Sequence, residues 1–282
     1  MEIETQIKKG VEYYYLKHSI RKGKKVISKR KYLGTLIPNN LDEIKHDFYL
    51  ELNKDLFEKL DLIKENHQKE WAKLPQTVKE KELKEIAVAF TYNTNAIEGS
   101  TITLFETREI ILEKHAPAKA LNEIEETKNH AKVFLEALNL KQDLDEKLIL
   151  KWHLDIFKDS KEDIAGEFRD YLVRVGSYLA PHPEDMKEML KEFFKFAKKK
   201  HLHPVEFAGR LHYLFEKIHP FGDGNGRIGR LLMNYILWQN GYPMIIIEYK
   251  NRKSYYKAFD RDEQGFADYF IKRYIKIHEK RI

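Results

Sequence analysis

The stretch His219-Pro220-Phe221-Gly222-Asp223-Gly224-Asn225-Gly226-Arg227-Ile228-Gly229-Arg230 concentrates residue types that handle phosphate. Gly222, Gly224 and Gly226 fall within five residues, so successive backbone N–H groups can turn towards one centre. An apolar run from Leu231 to Trp238 follows, and a helix there would add its positive end to the same point. Asp223 supplies a hard oxygen suited to a divalent cation, with magnesium, held mainly by substrate phosphates and water, the one expected. Arg227 and Arg230, three apart on the new helix, reach the same side and can grip further phosphate oxygens. His219 stands at the entrance, where a neutral imidazole could take a proton from an attacking hydroxyl.

Other readings of these residues fail on spacing. A calcium loop beginning at Asp223 needs a bidentate Glu at its twelfth position, which is Asn234. A Walker phosphate loop needs Gly-Lys-Ser/Thr, whereas Gly226 is followed by Arg-Ile. His153, His182, His201, His203 and His212 form no His-Glu-x-x-His pattern and the chain has no cysteine, so they are expected in the core or on the surface rather than around zinc.

Residues 219–230 match the signature H-x-F-x-[DE]-G-N-G-R-x-x-R at every specified position, and the chain is similar to the Fic (Fic/Doc, Fido) domain family. The similarity of organisation extends over roughly residues 80–275. It implies a mainly helical, all-α fold: a bundle in which the motif joins two central helices, with a short β-hairpin flap over the site. It also implies a protein adenylyltransferase, in which a target Ser, Thr or Tyr hydroxyl attacks the α-phosphate of ATP and pyrophosphate leaves. Carried over by position, His219 would be the base and Asp223 the Mg²⁺ ligand. Gly222, Gly224, Asn225 and Gly226 would form the anion cradle, Arg227 would help hold the triphosphate, and Arg230 would pair with the γ-phosphate. Phe221 is expected to anchor the loop in the core.

Upstream, Thr94-Asn95-Ala96-Ile97-Glu98-Gly99 resembles the family's inhibitory pattern [ST]-x-x-x-E-[GN]. The resemblance implies a self-inhibited protein in which Glu98, at the end of a helix closed by Gly99, pairs with Arg230 and competes with the γ-phosphate. A carboxylate near a helix C-terminus is electrostatically misplaced unless it has a partner, which favours such a pair. Residues 168–182 resemble the flap, with Val175, Gly176, Ser177 and Tyr178 as contacts to nucleotide and target. Tyr255 and Tyr256 resemble the aromatic pair near adenine, with Glu263 or Gln264 further on.

The elements that must position these groups follow from periodicity. Helices are expected over Leu41–Trp71 as one long element, Val78–Ile97, Leu104–Lys114, Ala118–Leu138, Asp143–Phe157, Glu184–Lys200, Pro204–Ile218 and again after Gly226. Before them, two aromatic and β-branched runs around Arg21-Lys22-Gly23-Lys24-Lys25 read as an N-terminal β-hairpin. This divides the chain into a basic arm at 1–37, a helical connector at 38–79 and a catalytic domain at 80–282. No obvious DNA-binding helix-turn-helix follows that domain.

Composition sets limits. The chain has 282 residues, 42% of them hydrophobic, enough for a large helical core, and no apolar run approaches a membrane span. The absence of cysteine and of a leader-like N-terminus points to the cytoplasm. Net charge is +6, but residues 1–35 alone hold ten Lys/Arg and three Glu, so the remainder is near neutral. ATP and a protein target, which can be the chain itself, are the expected partners; nucleic acid on the basic arm and a homodimer stay open. The alternatives to AMP transfer are AMP removal at the same site and a nucleotide-sensing regulator that binds nucleic acid or protein.

Overall fold

Period-two patterning builds the first unit. β1 (Glu2–Lys8), β2 (Val11–Lys22) and β3 (Lys25–Gly34) form an antiparallel sheet in that order, and α1 (Leu41–Leu52) covers one face. Leu16 is fully buried against Phe48 and Leu52, with Leu33 and Ile44 packed around them. The sequence reading expected two strands here; the third enters through Lys9-Gly10, whose φ values of 51° and 79° make the tight turn a two-residue hairpin needs. Its polar composition hid it, since only Ile3 and Ile7 are large and apolar.

A computed structural model describes residues 1–22, 25–198 and 202–282, in two units, residues 1–58 and 59–282. The expected turn at Gly23-Lys24 and the stretch Lys199-Lys200-His201 lie outside the described residues. The helix expected over Leu41–Trp71 is two helices, α1 and α2 (Lys54–Lys73). Asn53 separates them: its side-chain amide and its backbone N–H both donate to the carbonyl of Tyr49, and its own carbonyl accepts from Leu56 and Phe57 to start the new helix.

The second unit is helical. α3 (Gln76–Ile97), closed just beyond its end by Gly99, is followed by α4 (Leu104–Arg108), which starts from a Thr103/Glu106 capping box and continues as a π-helical turn over Glu109–Glu113. Then come α5 (Leu121–Asn139), α6 (Glu146–Phe157), a two-stranded flap of β4 (Arg174–Val175) and β5 (Tyr178–Leu179), and α7 (Pro183–Ala197). α8 (Pro204–Ile218) and α9 (Asn225–Gln239) pack together at the centre, joined by residues 219–224. α10 (Arg252–Ala258) and α11 (Glu263–Ile277) close the unit, with α11 against α8. Phe215, Phe221, Ile228 and Leu232 are fully buried, so the loop between α8 and α9 is fastened at both ends by the core itself.

Candidate active site

His219 terminates α8 in the left-handed conformation, φ 51°, with its N–H still bonded to the carbonyl of Phe215. A non-glycine residue held there stores backbone strain that its surroundings must maintain. They do so from both sides. Arg169, 4% exposed, donates from Nε to the carbonyl of His219 at 2.8 Å and from its other nitrogens to the carbonyls of Tyr171 and Pro181, at 2.7 and 2.8 Å. It thereby ties the two ends of the flap segment to the histidine. Burial lowers the pKa of the His219 imidazole, although the backbone carbonyl of Glu216 partly favours its protonated form. The ring is therefore suited to be neutral and to accept a proton.

The loop then turns on its side chains. Phe221 is wholly buried and its ring stacks on His153 at 3.8 Å between centroids, 7° from parallel. His153 Nδ1 accepts from the N–H of Gly166, so its Nε2 carries the hydrogen donated to the carbonyl of Asp223 at 3.0 Å. Burial takes its pKa down to about 4, which keeps that tautomer uncharged. Asn225 bridges the turn with Oδ1 accepting from the N–H of Phe221 and Nδ2 donating to its carbonyl, both at 2.8 Å. The histidine is thus a brace for the loop and, among the described residues, no group of three His, Cys, Asp or Glu could hold a metal ion.

At the head of α9, Arg230 is 1% exposed. Its Nε donates to Thr94 Oγ1 at 2.5 Å, and Nη2 donates to the carbonyl of Thr94 at 3.2 Å and to Glu98 Oε1 at 2.6 Å. Burial is the largest single influence and opposes its charge, but the Glu98 carboxylate together with Tyr255 and Glu216 outweighs it, so its pKa is raised. Asn95 and Asn93 fasten the same end of α3, bonding Thr127 and the N–H of Tyr249. Gly226 sits beside the pair. A methyl group there would run into Glu98 Oε1 and come within 2.9 Å of Arg230 Nη1, so only glycine lets an anion approach this turn of backbone. Gly224, φ 81°, is equally constrained, because a side chain would overlap the ring of Phe157.

Asp223 is half-exposed and lies 3.1 Å from Lys161 and 3.6 Å from Arg227. Burial works against its ionisation, but Arg227 and Lys161 prevail and keep its pKa below the ordinary value. Arg227 is itself buried: it is ion-paired with Glu126, lies 4.3 Å over the ring of Phe157, and leaves Nε without a hydrogen-bond partner. A cavity of about 190 Å³ opens among Glu98, Glu126, Lys161, Asp223 and Arg227. That is below the 300 Å³ or so at which small-molecule pockets begin, and Glu98 forms part of its wall.

Of the sequence-derived set, Thr94, Glu98 and Arg230 are bonded together, Asp223 lies beside Arg227, and His219 is within electrostatic reach of Glu98 and Asp223. Val175, Gly176 and Ser177 lie exposed on the flap, while the Tyr178 hydroxyl donates to the carbonyl of Lys217 and fastens the flap to α8. The tyrosine pair is split. Tyr255 is 3% exposed and bonds His212 Nε2 at 2.7 Å behind Arg230, whereas Tyr256 is half-exposed and donates to the carbonyl of Ile97, the last residue of α3. Glu263 and Gln264 both engage Arg210. Four neighbours of the site had no sequence signal beyond their charge: Arg169, Glu126, Lys161 and Glu216. Glu216 Oε2 lies 3.9 Å from His219 Nδ1, its Oε1 is buried without a hydrogen-bond partner, and burial pushes its carboxyl up to about 8.

Residues 143–237 match the Fic/DOC family. The chain therefore carries a Fic/DOC domain over these residues. It is 35% identical over 210 residues to a protein named Protein adenylyltransferase Fic from Nematostella vectensis, covering 71% of this chain and 49% of that one. A protein of the same name from Drosophila melanogaster is 35% identical over 204 residues, 70% of this chain and 42% of that one. The chain thus spans about half the length of the curated relatives it matches. Among solved structures, a Fic domain containing signaling protein from Bacteroides thetaiotaomicron superposes with a TM-score of 0.65 at 25% identity, covering 81% of this chain and 95% of that one. Fic-1 (residues 134–508) from C. elegans has the same fold, with a TM-score of 0.68 at 24% identity, over 86% and 77% of the two chains.

Proposed function

We propose that this chain transfers AMP from ATP to a protein hydroxyl, and that Glu98 restrains the reaction by occupying Arg230. The observation that carries this reading is the 2.6 Å bond from Arg230 to Glu98, made beside the loop that bears His219 and Asp223. Further support comes from the name borne by relatives 35% identical over 70% of the chain. Arg230 then has two competing anions, the carboxylate fixed to α3 and the terminal phosphate of ATP. With Glu98 displaced, the triphosphate would lie along the head of α9, its γ-phosphate on Arg230 and its remaining oxygens on the backbone N–H groups that Gly224 and Gly226 leave uncovered.

The acceptor hydroxyl attacks the α-phosphorus, its proton passes to the neutral imidazole of His219, and the bond to the bridging oxygen breaks so that pyrophosphate departs. A target chain would be held by main-chain pairing along the flap near Val175, Gly176 and Ser177. Asp223 would hold Mg²⁺ jointly with the phosphates, since it is a half-exposed hard carboxylate on the wall of the small cavity it shares with Arg227 and Lys161. When bound, that cation neutralises phosphate charge.

The test is to incubate the Glu98→Gly protein with ATP labelled at either the α- or the γ-phosphorus and to follow label retained on protein. Retention of the α-label alone supports AMP transfer. Retention of the γ-label would mean a kinase-like reaction and end this reading. Loss of AMP from a pre-modified target, with neither label retained, would replace transfer by removal.

A further inference from the structure

The first unit carries a feature that the reaction does not use. β1 pairs with β2 only as far as Lys17, whereas the β2–β3 ladder continues through His18↔Lys29, Ser19↔Ser28, Ile20↔Ile27, Arg21↔Val26 and Lys22↔Lys25. Five further pairs make a two-stranded ribbon about 17 Å long at 3.3 Å per residue. Residues 17–31 contain eight Lys/Arg and not one Asp or Glu. At the root, Glu2 and Glu4 pair with Lys17, and Glu4 also pairs with Arg30. No acidic residue follows along the ribbon, and Ser28 and Lys29 are exposed. A like-charge concentration of this density creates a positive surface potential that attracts a polyanion.

We infer that the β2–β3 ribbon is a docking element for duplex DNA. The major groove of B-form DNA, about 12 Å wide, admits a two-stranded ribbon, whereas the deep, narrow major groove of A-form RNA does not. Single strands are bound chiefly by stacking bases on aromatic rings, and residues 17–31 contain no Phe, Tyr or Trp. The neighbouring tyrosines, Tyr13, Tyr15 and Tyr32, are engaged with one another at ring separations of 5.3–6.3 Å at the root. Charge and shape together therefore favour a double helix bound through its phosphates, with little sequence preference.

The test is fluorescence anisotropy of the full chain with a labelled DNA duplex of about two helical turns, in 50–200 mM salt. The expected result is micromolar binding whose logarithm falls linearly with the logarithm of salt concentration, as counterion release requires. Replacing Arg21, Lys22, Lys25 and Lys29 by Gln should flatten that slope by about 3.6, from roughly 0.9 per lost phosphate contact, and weaken binding at least tenfold. An unchanged thermal melt excludes unfolding as the cause. No binding of duplex at 50 mM salt, equal binding by the substituted protein, or tighter binding to single-stranded RNA or to vesicles of anionic phospholipid would each overturn the inference.

Discussion

Replacing Glu98 by Gln removes one charge from the pair that defines the resting site. Breaking a buried ion pair by deleting one partner costs about 3–5 kcal/mol, because the remaining charge is stranded. Here the Glu98 side chain is 31% exposed and Arg230 keeps its bonds to Thr94, so solvent screening reduces the expected cost to about 2 kcal/mol. For a unit of more than 200 residues that corresponds to a melting temperature lower by about 4–8 °C without nucleotide. The same 2 kcal/mol no longer opposes the γ-phosphate, which gives about 30-fold tighter ATP binding. Differential scanning fluorimetry with and without Mg·ATP, together with calorimetric titration, measures both numbers. The melting penalty should vanish at saturating ATP. Equal melting and equal ATP affinity in the two proteins would refute competition for Arg230.

Three further outcomes follow from the geometry. Gly226→Ala should weaken ATP binding at least tenfold even in the Glu98→Gly background, because the methyl group occupies the place an anion needs; undiminished titration heats would contradict this. Glu216→Gln should raise the melting temperature at pH 8 and leave it nearly unchanged at pH 5. The folded state holds the Glu216 proton up to about 8 against an ordinary 4.5, so the stability this proton contributes is complete below 4.5 and lost as pH rises towards 8. An equal shift at both pH values would reject that account. Finally, AMP transfer by Glu98→Gly should stay constant through pH 6.5 and decline only at more acid pH, since burial lowers the imidazole pKa of His219; a half-maximal rate at or above 6.5 would show that the ring is not held neutral.

The loop of residues 219–230 was legible because the chemistry proposed for it and its backbone demand the same residues. Glycines at 224 and 226 are required by Phe157 on one side and by Glu98 and Arg230 on the other, and an apolar residue at 221 is required to sink the loop into the core. The Glu98–Arg230 contact spans 132 residues and was accessible only because each end carries its own pattern. Contacts without such a pattern stayed hidden. Glu126 and Arg227 lie 101 residues apart on helices whose other charged residues look no different, and nothing local marks Arg169 as the residue that fixes the backbone of His219. Tyr255 and Tyr256 are adjacent and chemically identical, and only the packing of α10 decides that one enters the core and the other faces solvent. The break at Asn53 was missed for the opposite reason: apolar periodicity continues through it, while the side chain diverts the local hydrogen bonds.

The most direct measurement of the central claim is incorporation of α-labelled ATP into the protein and into a cell lysate. It compares wild type, Glu98→Gly and Glu98→Gly/His219→Ala with magnesium present. Strong labelling confined to the single variant is the predicted result, since releasing Arg230 permits the reaction and removing the base stops it. Equal labelling of wild type and Glu98→Gly, or labelling that survives the loss of His219, would contradict the account.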